Sequence, residues 1–588
     1  MAITDLKPSL PKNSLRVQLA MTTAMAGVLF SYGGKQAYAG ACTGGAGVYS
    51  CSGIANPGTD AQQNLNGVPG GAVSITTTAG FGIDTAATAA IRSQGINTAG
   101  ISITDNNAST IRGSSTGIHA QQSGATSSGD ITITSNGLIE GGSNGIYAFN
   151  LATGGNLQIT ANDVSGGFVN GIIASADNNI DITTNGTVTG NQRGIESFAN
   201  TLGSGNNTIV INGSVTGTSA IGVGVVGTAY NGGSLSISVA AGGSVNGAQT
   251  GIVSYVNAAS TAAITVSGTV TGGTRAGIDS NFFSTGGTTN ITLNNGANVS
   301  ATSGVAISNG IYGASNYDNT ANVIVNNGAV VTGDINLGDG TDTATFNTGA
   351  AVNGAVNMGS GTDTITFNGG DFTNITTVDG GSGTDTMTIT NGFVGTSGNI
   401  VNVENLTIGS GGTVHFTGAL AHDTVAVQTG GTLSGGNLPI ATNITGSLDL
   451  GVGSTVLAEL GGTSSTQYDQ IDVANATTLA AGAIFDVDFI SGFSASLGEF
   501  FDIVIADSFI GDINDLIFDF SGAALGIGLG WEASFVAAGG SDEALRLTVV
   551  VDDTPVPGPS TILTLSVGLF GLYRLRRQRK HRSSQAVA

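Results

Sequence analysis

Three aspartates carry the most suggestive chemistry in this chain. Asp342, Asp363 and Asp385 each follow a glycine-rich turn and precede a short alternating strand, in LGDGTDTATF, MGSGTDTITF and GGSGTDTMTI. Carboxylates set at a regular spacing beside such turns are hard oxygen donors, of the kind a divalent cation takes. The competing reading is structural: glycine permits the turn and aspartate caps it. Spacings of 21 and 22 residues favour the cap, because cation sites of this kind need closely spaced neighbours. Few other groups could do chemistry. Of the histidines, His119, His415, His422 and His581, only His415 with the pair His422–Asp423 suggests acid–base work, and solvated strand residues are the plainer reading. Nucleophile-elbow, phosphate-loop, zinc and nucleotide signatures do not appear. Cys42 and Cys51 suit a small disulfide in an exported compartment rather than a catalytic thiol.

The elements that must position these residues are short strands. Alternating Ile/Val, then Gly-x-Val/Ile-x-Gly, then Gly-Ile recurs along the chain, as in DITITSNGLIEGG from Asp130, NIDITTNGTVTG from Asn179 and NTIVINGSVTG from Asn207. The Gly-Ile step falls at Gly117, Gly145, Gly171, Gly194, Gly251, Gly277 and Gly310, with Ala220-Ile221 filling one gap. A period of this size, with about three strands per unit and no helical pattern, predicts stacked repeats. One repeat cannot bury its own Ile and Val, whereas a stack makes a continuous core. Strand parity then sorts the residues. Ile131 and Ile133 share a face opposite Thr132 and Thr134. Ala344/Phe346, Ile365/Phe367 and Met387/Ile389 should stack inward, with Thr343/Thr345, Thr364/Thr366 and Thr386/Thr388 as an outward ladder. Three rows of threonine form a small patch. A globular β-sandwich is the alternative, but sandwiches do not repeat one phrase.

Charge restricts the partners. From Gly40 to Thr554 the only cations are Arg92, Arg112, Arg193, Arg275 and Arg546, while every acidic residue except Asp5 lies there. The body therefore carries about 32 net negative charges and offers nucleic acid no basic patch. With no lysine and five scattered arginines, the body also lacks the parts of a β-helical lyase, which needs a cationic base beside calcium-held carboxylates. A glycosidase needs only two carboxylates, so aspartates alone leave that class open.

Both ends look like address labels. Lys7, Lys12 and Arg16 precede an apolar segment, Val17 to Phe30, and then Ala37-Tyr38-Ala39, which reads as a signal peptide cleaved beside Ala37 and Ala39. At the other end Pro555, Pro557 and Pro559 precede an apolar run, Ser560 to Tyr573, and the cluster Arg574, Arg576, Arg577, Arg579, Lys580 and Arg582. This ending resembles the PEP-CTERM sorting tag, which implies processing by an exosortase-like enzyme in a Gram-negative envelope. The motif here is Pro557-Gly558-Pro559, with Gly558 where that family has glutamate. A plain membrane anchor is the competing reading. Fourteen helical residues would span roughly 21 Å of an apolar layer about 30 Å thick, and snorkelling arginines narrow the gap.

Three internal stretches carry further resemblances. The run from Cys42 through VYSCSGIANPGTDAQQNL, then GFGIDTAATAAI and ITDNNASTIRG, resembles the start of autotransporter passenger domains, which implies a bacterial surface β-helix; the membrane barrel of that family is missing here. Gly380 to Thr388 is similar to the calcium nonapeptide of RTX proteins. From Leu448 the chain resembles a C-terminal passenger module, through Gly462-Thr463 and Tyr468-Asp469-Gln470, which implies capping and nucleation of folding.

The expectations are accordingly these. The fold is all-β: a right-handed parallel β-helix (solenoid) with a β-rich capping module and one C-terminal transmembrane helix. The chain divides into 1–39 (signal peptide), 40–70 (cap with the cysteine pair), 71–447 (solenoid), 448–551 (capping module), 552–559 (linker and sorting motif), 560–575 (membrane helix) and 576–588 (basic cytoplasmic tail). The protein is a non-enzymatic, exported surface rod in adhesion, biofilm matrix or envelope structure. A polysaccharide-acting β-helix enzyme of glycosidase type and an ice- or surface-binding threonine array are the alternatives. Its partners are the membrane, an exosortase-like enzyme, and carbohydrate or a neighbouring cell, with no nucleic acid. No cofactor is needed, calcium being the one candidate, at Asp342, Asp363 and Asp385.

Overall fold

A computed structural model describes residues 39–552, apart from 68–69, 97–98, 125–128, 153, 200–204, 258, 283, 311–318, 395–398, 416–420 and 435–440. The repeats wind into an all-β parallel solenoid of about 15 turns. At 4.7–4.9 Å between paired strands, that is a rod of roughly 70 Å. Helix is nearly absent, and Ile513–Asp515 forms a 3₁₀ turn.

Each coil of the first half has three short sides. In the coil that opens with Asp130–Gly141, residues up to Ser135 lie on a first face. Leu138 to Gly141 turn onto a second face, and Asn144–Ala152 forms the third. The inward residues stack like on like. Ile75, Ile103, Ile133, Ile159, Ile182 and Ile209 form a first-face column. Ile111, Ile139, Val164, Val188 and Val215 form one on the second face, and Ile118, Ile146, Ile172 and Ile195 one on the third. All are at most 1% exposed. Each such side chain contributes on the order of 1.5–3 kcal/mol of burial.

The recurrent glycines have a steric cause. A Cβ on Gly190, which closes the second-face strand Thr187–Gly190, would lie 1.7 Å from the Arg193 carbonyl oxygen and 2.5 Å from the Gly171 nitrogen. A Cβ on Gly171, of a Gly-Ile step, would meet Val188 Cγ1 and the Gly194 carbonyl oxygen at 2.7 Å each. This part of the phrase is thus the outline of the corner between the second and third faces, where backbone of the same coil and of its neighbour approaches too closely for any side chain.

Beyond residue 320 the coil shortens and stacked phenylalanines join the core. Phe346 stacks on Phe367 with centroids 4.9 Å apart, and Phe372 meets Phe367 edge-on at 4.7 Å. The inward and outward parity read for these strands is the parity observed: Ala344, Phe346, Ile365, Phe367, Met387 and Ile389 are fully buried.

Parallel stacking runs on across residue 448. Ser447–Leu450, Gln470–Leu479 and Phe500–Ile510 continue the first face, and Thr455–Leu460, Ile484–Phe489 and Ile517–Gly522 stack beside them. At the C-terminal end of the rod the strands turn antiparallel. Asp542–Val551 pairs with Phe500–Ile510 on one side and with Leu529–Gly539 on the other. This hairpin covers an otherwise open strand edge. Trp531 packs among Phe489, Phe501 and Phe520, and its indole N–H donates to the Ala523 carbonyl at 3.0 Å. Arg546 pins the hairpin by two bonds to the Asp502 carboxylate, at 2.7 and 2.9 Å, and lies over the Phe500 ring.

At the N-terminal end Ala41–Gly45 pairs antiparallel with Val48–Ser52, and a disulfide joins Cys42 to Cys51 across the pair. No helix among the described residues is long and apolar enough to cross a membrane. The expected membrane helix and, apart from Ala39, the expected signal peptide lie outside the described residues.

Candidate functional site

The three aspartates form one column at the corner before the first face. They are caps. The Asp342 carboxylate accepts from the Ala321 N–H at 2.6 Å, Asp363 from the Asp342 N–H at 2.8 Å and Asp385 from the Asp363 N–H at 2.8 Å. Glu404 closes the ladder by accepting from the Asp385 N–H at 2.6 Å. The three aspartates are at most 1% exposed. Each carboxylate thus satisfies a backbone donor one coil away. The glycine turn fits the same logic: Gly361 sits at φ 148°, and a Cβ there would lie 1.6 Å from the Gly340 carbonyl oxygen. Among the described residues no group of three or more His, Cys, Asp or Glu is gathered to hold a metal ion.

Burial makes this column respond to pH. The second carboxylate oxygens of Asp363 and Asp385 are buried without a hydrogen-bond partner. Desolvation lifts the Asp363 pKa to about 6, opposed by its bond to the Asp342 N–H and helped by the Asp385 charge. Desolvation raises Asp385 as well, with the charges of Glu404 and Asp379 adding to it. A carboxyl whose pKa is raised on folding binds more protons in the folded chain, so stability falls as pH rises from about 4 to about 6. Full ionisation of Asp363 then costs about 3 kcal/mol. Asp363→Asn keeps the acceptor and removes the charge. Urea unfolding should show the variant level with the parent near pH 4 and more stable above pH 6. Parallel pH profiles would reject this account.

The threonine ladder is far longer than three rows. Its second column continues upward from Thr345, through Ile324, to Thr292 and Thr265. Beyond Ser238 and Val210 come Thr183, Thr160, Thr134, Thr104 and Thr76. Downward it passes Thr366 and Thr388 to Thr407. The first column beside it is mostly Ser, Thr and Asn, from Ser74 and Ser102 to Thr424 and Ser447. Sequence reading missed the extent because threonine in TATF and in SITD looks unrelated until the coils are in register.

An asparagine ladder was missed for the same reason. Asn368 donates to Asn347, and Asn347 to Asn326, each at 2.8 Å, while Asn326 reaches Asn294 at 3.4 Å. Its signal is present in the sequence: each asparagine directly follows the last core residue of its strand. On the second face Arg112 bridges the carboxylates of Asp84, at 3.2 Å, and Glu140.

Of the four histidines, His119, His415 and His422 lie among the described residues and His581 does not. His422 is buried, not solvated, with its Nδ1 against the Val403 carbonyl oxygen, and burial lowers its pKa. His415 stands opposite Ser434 in a parallel pair. His119 is on the third face, beside Tyr147. Ala39 makes a single bridge to Ile54. Ala37, Pro557, Gly558, Pro559, Arg574, Arg576, Arg577, Arg579 and Lys580 lie outside the described residues. No family model matches the chain, and no curated protein shows significant similarity to it.

Proposed function

We propose that the chain is a non-enzymatic cell-surface rod acting in adhesion, biofilm matrix or envelope structure. The observation that carries this is the first face: two regular outward columns of Thr, Ser and Asn running along the solenoid. Such a face is hydrated, uncharged for most of its length and repetitive, which suits many weak contacts with a surface. Export by the N-terminal segment, a right-handed winding, a single membrane helix after Ser560 and handling of the Pro557–Pro559 motif by an exosortase-like enzyme belong to the same reading. Calcium is not required by it. The test is the intact mass of the protein recovered from the envelope of its native host, together with surface attachment of a strain lacking it. Recovery at the cell surface with loss of attachment in the deletion strain supports the rod. Recovery from the cytoplasm with every residue of the N-terminal segment retained overturns it.

The length of the threonine column favours one second reading, an ice- or surface-binding array. Regular hydroxyl and methyl groups at the coil spacing can order a layer of water. Inhibition of ice recrystallisation, abolished by Thr366→Tyr and Thr388→Tyr on the open face, is the result expected of that reading. No inhibition at any concentration removes it.

A further inference from the structure

The third face differs from the first. In the coils of Ala89–Ile96, Thr116–Gly124 and Asn144–Ala152 its outward positions carry rings and amides. Tyr147 stands next to His119, which stands next to Arg92; Phe149 stands next to Gln121, which stands next to Gln94. The rings of Tyr147 and Phe149 stack with centroids 4.3 Å apart, and His119 lies 4.8 Å from Tyr147. The Gln94 amide donates to Gln121 Oε1 at 3.2 Å, and His119 Nε2 lies 3.3 Å from the same oxygen. All of these side chains are half-buried, so the group keeps its shape and still meets solvent.

We propose that this strip is a docking site for a neutral polysaccharide lying along the rod. The proposal rests on the adhesion reading and gives it a site. A pyranose ring has an apolar C–H face and a rim of hydroxyls. The stacked rings offer the first a partner, and the amides, imidazole and tyrosine hydroxyl offer the second both donors and acceptors. Burial lowers the His119 pKa, with Arg92 also opposing its protonation, so the imidazole is uncharged at neutral pH. In the coil of Arg193–Ala199 the Arg193 charge is matched by Glu196 at 2.7 Å. A body with about 32 net negative charges repels polyanions, and Arg92 in the strip repels a polycation, which leaves a neutral chain as the fitting polymer. The third-face strands are paired to neighbouring coils on both sides, so an extended peptide has no edge there to join.

The test is affinity electrophoresis of the full-length chain through gels containing hydroxyethylcellulose, mannan or dextran. At least one polymer should retard the protein, and Tyr147→Ala or Phe149→Ala should weaken the retardation about tenfold. Gln94→Ala, which removes no ring from the stack, should weaken it to a smaller degree with the melting temperature unchanged. Thr189→Ala on the second face should leave it intact. Equal retardation of the parent and of the Tyr147 and Gln94 variants overturns the strip while leaving adhesion standing. Retardation by none of the three polymers, or only by an acidic polysaccharide or a peptide, also overturns it. Surface attachment of the deletion strain then judges adhesion by itself.

Discussion

Phe367→Ala should lower the stability of the solenoid by about 3–5 kcal/mol, a large share of what a domain normally has to spare. Phe367 is fully buried and touches two rings, Phe346 from the coil above and Phe372 from its own. Truncation removes the transfer free energy of a whole ring and leaves a cavity between coils that the stacked backbones hold apart. The loss should also be local. In a solenoid each coil meets only its neighbours, so the damage enters as two weakened interfaces. Hydrogen exchange should rise sharply in Thr343–Asn347 and Thr386–Val394 while the strands before Ile182 keep their protection. Uniform loss of protection along the chain would show that the rod unfolds as one cooperative unit and would sink the nearest-neighbour account. A change under about 1 kcal/mol would show that the ring stack is not a core.

Gly190→Ala is expected to be as damaging although it adds one methyl group. The new carbon would fall on the Arg193 carbonyl oxygen and against the Gly171 nitrogen, and both belong to backbone. Overpacking against side chains costs roughly 1–3 kcal/mol because side chains can turn away. Here the corner itself must open, so the cost should reach the top of that range or exceed it. Thr189→Ala, one residue earlier and pointing outward, should change stability by about 0.5 kcal/mol or less. Chemical unfolding of the pair against the parent decides the matter. Equal effects would mean that the corner is soft and that its glycines answer to something other than coil approach.

Much of the fold was legible because a stack repeats its own rules. Ile131/Ile133 opposite Thr132/Thr134 gives the parity of a first-face strand, and the glycine steps give the corners. The candidate site was legible only in part. The aspartates after each glycine turn stood out, and the cap was the favoured role. What each one caps was hidden, because the donor belongs to a residue 21 or 22 positions earlier. Solvation of His422 was the wrong expectation, since the carbonyl that takes its Nδ1 belongs to Val403, in the turn above it.

By itself, the sequence determined which residues face in and where the chain must turn, because alternation and glycine act within a few residues. It also determined the net charge of the body. Only the tertiary structure decided which outward residues become neighbours. Coil lengths vary along the chain, so the column joining Thr76 to Thr407 and the strip joining Gln94, Gln121 and Phe149 exist only once hydrogen bonds between coils have set the register. A binding surface on a solenoid is made by that register, at a spacing the chain shows nowhere along its own length.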